Sequence, residues 1–409
     1  MLEPNCRKIV ETKNLWSLAI DFMKNIDDKL MEFNIKYAYI TYMLCKISKV
    51  DYKTRKHLVF ISCFNNVGKH YEGENASSAT VETYLFLKYF SPLKNDAEAL
   101  ITDIVGSKNP KNIIGYNKLK IAKKFTQNLV ISNDKDEALR MIMQEENKYG
   151  YLDIAALNKL VKTTDLFYEI NSMHYKTVVY KFISKMMFSR KEKTYFFTML
   201  SSLFEMYSSQ TLYHSKVTAI ISYKIAKCMK LSKEHCNKIY VAGLSHDLGK
   251  VCIPLKILEK PDKLTDKEYS RMKTHVEFTK KLLENKMDYD IIEIAYRHHE
   301  RIDGSGYPNK VKGKCLTLEQ KILQVADVIS ALIAKRSYKE AWSIDKTIAI
   351  LEDNVRNDKL DIDVVECFKQ NRDKILRASI KLMNQADKIY TKLNDEREEL
   401  NRKLNKNVA

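Results

Sequence analysis

Residues 227–250 read KCMKLSKEHCNKIYVAGLSHDLGK. A helix closes here, the chain turns through a short polar segment with Lys230, and a second, apolar helix runs into His246-Asp247-Leu248-Gly249-Lys250. Residues 46–69, KISKVDYKTRKHLVFISCFNNVGK, follow the same plan 181 positions earlier, so Asn65-Asn66-Val67-Gly68-Lys69 stands where His246–Lys250 stands. Further along, GYLDIAALNKLVK from Gly150 echoes KLDIDVVECFKQN from Lys359, and KIAKKF from Lys120 weakly echoes KILQVA from Lys321. Self-similar stretches recurring in the same order are the mark of a repeated unit. The chain therefore reads as all-α, with two related helical modules over residues 1–165 and 200–385. A helical connector, 166–199, joins them, and a charged helix, 386–409, ends the chain.

Composition supports helices throughout. No Pro lies between Pro110 and Pro254, and no Gly between Gly150 and Gly243. Helix breakers are thus missing where strands and tight turns would need them. Of the 409 residues, 45% are hydrophobic and 30% charged, which suits a globular chain of two or three domains. The formal charge of +18 invites a nucleic-acid partner. Lysines spread among many acids, with no Arg-rich arm, disfavour a polymer and suit a small anionic ligand equally well. The eight cysteines form no CxxC pair, the first residues lack an apolar signal region, and no apolar run reaches membrane-spanning length. These features lead us to expect free thiols, a cytoplasmic location and no membrane span.

Potential ligands crowd into the second module. Six of the nine histidines lie there, at 214, 235, 246, 275, 298 and 299. His298 and His299 end the helix DIIEIAYRHH, and Asp327 is the sole charge in ILQVADVISALIA. A carboxylate buried in such a stripe needs a compensating cation. His214, His246, Asp247, His275, His298, His299 and Asp327 together offer five imidazoles and two carboxylates, too many for one four-coordinate ion and enough for two of higher coordination. Asp247 can bridge such a pair. Ligand softness points to iron first, then manganese, with zinc behind. Two ions at close range activate water and suit phosphoester hydrolysis. A single histidine on an apolar face is usually a satisfied core residue, and His214 or His275 alone would be read so; His235 in SKEHCNK is read as an ordinary surface residue. The first module has Phe33 at the place of His214 and neutral amides at 65 and 66, so it is not expected to hold ions.

His246-Asp247 with Gly249-Lys250, the run HHERIDGSGYP over His298–Pro308, Ala326-Asp327 followed by Arg336, Tyr338 and Lys339, and KPDKLT at Lys260–Thr265 resemble the HD-GYP branch of the HD phosphohydrolases. The likeness covers residues 200–385, and the first module looks like a degenerate copy. It implies an all-helical fold, a centre of two or three metals, and hydrolysis of cyclic di-GMP to linear pGpG and onward to GMP. It also implies that His214, His246, Asp247 and Asp327 hold one ion, and that Asp247, His275, His298 and His299 hold the other. Lys250, Arg336 and Lys339 correspond to phosphate contacts, and Tyr307 faces the substrate. Asp247 and Lys250 stand as the catalytic pair. Gln210 takes the place of a glutamate that holds a third ion in some members, which favours two.

Other roles follow from residue type. Gly249 allows a sharp turn and a close approach to a ligand, Gly304 and Gly306 allow turns that a side chain would block, and Pro308 stiffens the loop end. Glu300 and Asp303 are candidates to orient a metal-binding ring or fix the GYP loop. Competing readings are a phosphodiesterase for another cyclic dinucleotide, such as hybrid cyclic GMP-AMP, and a nucleotide-sensing scaffold of weak activity. The Leu393, Leu400 and Leu404 stripe of the last helix is compatible with a short coiled-coil contact in a homodimer.

Overall fold

The computed structural model describes residues 11–67, 76–92, 97, 100, 113–207, 213–333 and 343–408. Among them there are helices and no strand. In chain order the α-helices are α1 Thr12–Ile26, α2 Asp28–Ile47, α3 Tyr52–Cys63, α4 Ala76–Phe90, α5 Ile113–Ser132, α6 Lys135–Met143, α7 Tyr151–Thr163, α8 Leu166–Asn171, α9 His174–Ser184 and α10 Arg190–Tyr207. They continue as α11 His214–Cys228, α12 Lys233–Ser245, α13 Leu255–Leu258, α14 Asp266–Lys273, α15 His275–Leu283, α16 Tyr289–Tyr296, α17 Leu318–Ile333, α18 Ile344–Arg356 and α19 Ile362–Val408.

The helices form two compact units. One contains Met1–Ile26 with Lys193–Thr391, the other Asp27–Glu192 with Lys392–Ala409. This grouping departs from the sequence-based boundaries at three places. Helix α1 packs in the ligand-rich unit, because one face of it, Leu15, Trp16, Leu18, Ala19, Phe22 and Met23, is apolar and buried. Asn14 donates to the Lys286 carbonyl at 2.9 Å, and Trp16 meets Phe196 edge-on at 5.0 Å. The connector divides, with residues to Glu192 in one unit and those from Lys193 in the other. The last segment is no separate helix but the end of α19, along which Leu393 and Leu400 are buried and Leu404 is half-buried. There Arg397 forks onto Glu82 at 2.5 and 2.9 Å, and Glu396 accepts from Tyr84 and Tyr89 at 2.9 Å.

The helix pairs α2–α3 and α11–α12 share one local design. Each first helix ends on a lysine in the left-handed region, Lys49 at φ 52° and Lys230 at φ 61°. Val50 N–H then bonds back to Cys45 and Leu231 N–H to Ala226, at 2.9 and 3.0 Å, which closes the orphan carbonyls of the last turn. Asp51 and Ser232 cap the following helices by accepting from Thr54 and His235. Every one of these partners sits 181 positions from its counterpart.

Candidate metal centre

Helix α12 crosses α11 so closely that a Cβ on Gly243 would lie 2.7 Å from the Ala219 Cα. Glycine is what that crossing permits. His214, at the start of α11, and His246, just past the end of α12, thereby stand with ring centroids 5.3 Å apart. A 3-10 turn over Leu248–Cys252 then lies against α15. A Cβ on Gly249 would be 2.1 Å from the His275 carbonyl oxygen. The expected role of Gly249, a sharp turn toward a ligand, is therefore corrected: it serves close packing on α15, and its φ is not in the left-handed region. Gly304 does occupy that region, at φ 81°. His298 and His299 follow the end of α16, and Asp327 lies on α17 among buried Leu323, Val325, Ala326 and Ile329.

All seven sequence-predicted ligands converge. One carboxylate oxygen of Asp247, Oδ2, lies 3.6 Å from His214 Nε2 and 3.3 Å from His246 Nε2. The other, Oδ1, lies 3.4 Å from His275 Nε2 and 3.9 Å from His298 Nε2. Asp327 Oδ1 approaches His214 Nε2 at 3.0 Å and His246 Nε2 at 3.6 Å. His299 completes a cluster with His275 and His298, and His214, His246 and Asp247 form a second. Asp247 stands between the two.

The residues fit metal ions. His246 Nε2, His275 Nε2, His298 Nε2 and Asp247 Oδ1 are buried without any hydrogen-bond partner. Orphan acceptors of this kind are costly unless something occupies their lone pairs. Burial pushes His275 down to about 4 and His298 to about 3, so both rings are neutral and able to ligate. His214 and His299 are lowered by burial as well. His246 differs: burial opposes its charge, but Asp247 and Asp327 beside it hold its pKa up to about 10. Burial would raise both carboxyls, yet His246 and Lys250 keep Asp247, and His214 and His246 keep Asp327, well below the usual range.

Around this core, Lys250 Nζ lies 2.6 Å from Asp247 Oδ2. Tyr307 covers His299 at 4.7 Å between ring centroids. Glu300 is fully buried and accepts the backbone N–H groups of Asn309 and Val311 at 2.7 and 2.9 Å, on either side of the GYP loop's exit. Asp303 is exposed and accepts from Ser305 N–H at 2.8 Å, local to its own turn. His235 is outside the cluster and pairs with Glu319 at 2.5 Å. Arg336, Tyr338, Lys339 and Gln210 lie outside the described residues. Three hydroxyls escaped the sequence reading: Thr218, Thr279 and Ser330, all fully buried. A hydroxyl on a buried helical face leaves no periodic or charge signal.

Residues 198–364 match the family model described as HD domain. This module belongs to the HD-phosphohydrolase/HD-GYP superfamily. The HD module is 44% identical over 130 residues to the cyclic di-GMP phosphodiesterase response regulator RpfG of Xanthomonas campestris, covering 31% of this chain and 34% of that one. It is 32% identical over 183 residues to 3'3'-cGAMP-specific phosphodiesterase 1 of Vibrio cholerae, covering 44% and 42%. A cyclic di-GMP phosphodiesterase of Thermotoga maritima is 31% identical over 201 residues, covering 48% and 51%. The matches thus span about half or less of those relatives' lengths. A solved structure from V. cholerae, described as a cyclic GMP-AMP specific phosphodiesterase (V-cGAP3), is alike in fold over 91% of this chain and 98% of its own, with a TM-score of 0.52 and 16% identity. No helix among the described residues is long and apolar enough to cross a membrane.

Proposed function

We propose that the chain is a metal-dependent phosphodiesterase that opens a cyclic dinucleotide. The carrying observation is Asp247, whose two oxygens face two separate groups of buried imidazoles with unpartnered nitrogens. One ion would be held by His214, His246, Asp247 and Asp327, and the other by Asp247, His275, His298 and His299. Iron and manganese suit this oxygen and imidazole set ahead of zinc. Bound ions would supply Lewis acidity toward a phosphoryl oxygen and a more acidic water.

The chain's own side chains do the rest. Lys250 donates to Asp247 Oδ2 and would bring an ammonium beside the place where a phosphate would sit. Tyr307 stacks beside His299 and would offer its ring to a base. Glu300 holds the loop that presents Tyr307, which supports the positioning role expected of it. Asp303 contributes through its turn at Ser305.

Relatives named for cyclic di-GMP and for 3'3'-cGAMP both match the HD module, which supports the class and favours testing the hybrid cyclic GMP-AMP alongside cyclic di-GMP. The shared turn at a spacing of 181 supports reading the N-terminal unit as a related module. Asn65 is buried there with its carbonyl bonded to Asn34, in place of a ligand imidazole. The test is metal analysis of the purified chain with product analysis against cyclic di-GMP, cyclic GMP-AMP and cyclic di-AMP. Two ions per chain with opening of a cyclic dinucleotide is the expected result. Full metal loading with no turnover of any of the three would leave a binding protein instead.

A further inference from the structure

Three of the five imidazoles are anchored in the same way. The Nδ1–H of His246 donates to the Gly243 carbonyl, that of His275 to Met272 and that of His298 to Ala295, at 2.8, 2.8 and 2.7 Å. Each bond runs three residues back along the chain. It fixes the tautomer of the neutral ring and makes Nε2, toward Asp247, the nitrogen that would ligate an ion.

His214 opens α11, after Tyr213 at φ 66°, and its ring has a side-chain partner. Its Nδ1 instead lies 3.0 Å from the hydroxyl of Ser330 on α17. Ser330 is fully buried. Its Oγ is also 2.6 Å from Thr218 Oγ1, one turn along α11, and 3.0 Å from the main-chain carbonyl of Asp327.

A hydroxyl donates once and accepts twice. The Asp327 carbonyl can only accept, so it takes the Ser330 proton. Thr218 O–H and His214 Nδ1–H then donate into the two Ser330 lone pairs. That arrangement satisfies the groups around Ser330 and makes His214 Nε2, 3.0 Å from Asp327 Oδ1, the nitrogen left for an ion.

We propose that Ser330 is a positioning residue for the first metal position, setting the tautomer of His214 and tying that ring to the helix that carries Asp327. The inference rests on the two-ion reading above. It gives the hydroxyl a role that His246, His275 and His298 assign to a backbone carbonyl.

The test is titration of the ion-free full chain with Mn²⁺, following free Mn²⁺ by its paramagnetic resonance signal. D327N and H275A serve as references, one for each metal position. In S330A the affinity of one ion is expected to fall roughly 10–100-fold, as is usual for lost outer partners of a metal-bound histidine, while the other is unchanged. Its binding curve should resemble that of D327N and not that of H275A. S330T, which keeps a hydroxyl at the same carbon, should recover part of the loss. An S330A curve identical to the unaltered chain overturns the proposal, and so does an equal loss at both positions with reduced helical signal. An unaltered chain that binds no ions overturns the two-ion reading itself, and this inference with it.

Discussion

The hydroxyl of Thr279 donates to the main-chain carbonyl of His246 at 2.9 Å. It also accepts the Gly249 N–H at 2.9 Å, so one buried side chain clamps the HDLGK turn to the helix that begins with His275. This joins the two halves of the metal centre through backbone rather than through ligands. T279V keeps the shape and removes both bonds, leaving a buried N–H and a buried carbonyl unpaired. Its unfolding free energy in urea should fall by about 1–3 kcal/mol. G249A should be at least as harmful, since its methyl would collide with the His275 carbonyl. An unchanged urea midpoint in both variants would contradict the clamp.

Among the described residues, Asp247 is the one whose two oxygens reach both imidazole groups. D247A should therefore lose both ions and all turnover while its far-ultraviolet circular dichroism stays helical. D327N should weaken one ion and spare the other. Metal content by mass spectrometry checks both, and a full complement in D247A would refute the bridging assignment.

Ion binding should grow tighter as pH rises. In the ion-free chain Asp247 and Asp327 outweigh burial and hold the His246 pKa near 10, so at neutral pH an incoming cation must displace that proton. His275 and His298, near 4 and 3, release none. About one proton should leave per chain loaded at pH 7.5, with affinity rising tenfold per pH unit up to about 10 and levelling beyond it. Calorimetry in buffers of different ionisation enthalpy measures this directly. A heat independent of buffer would contradict it.

In the second unit, burial pushes Lys123 down to about 8, with the Thr80 hydroxyl 3.4 Å from its Nζ. The unfolded chain keeps that lysine protonated to its ordinary value near 10.4, so between about 8 and 10.4 it binds more protons than the folded one. This group's contribution to stability is thus unfavourable below pH 8 and rises from there toward pH 10. K123M should be more stable than the unaltered chain at pH 7, and the difference should shrink by pH 10. Thermal unfolding at the two pH values checks it; an equal difference at both would show that the ammonium is not desolvated.

Much of the site was legible before any coordinates. HDLGK, the double histidine and the lone Asp327 in an apolar stripe are charges and imidazoles placed where a helix should bury hydrocarbon, and such residues announce a compensating ion. The turns at Lys49 and Lys230 were visible too, because helix ends depend on local backbone chemistry. Helix α1 was misassigned for the complementary reason: an apolar face says that a helix is buried and does not say against what.

The primary structure by itself determined that the chain is helical and that seven candidate ligands crowd between residues 214 and 327. These rest on periodicity, capping and residue chemistry, which act over a turn or two. Only the tertiary structure decided which oxygen of Asp247 faces which ring, that Gly249 is pressed on α15, and that Ser330 and Thr279 stand behind the ligands. The Thr279–Gly249 and Ser330–His214 contacts join residues 30 and 116 positions apart through the crossing of packed helices, and no local rule encodes them.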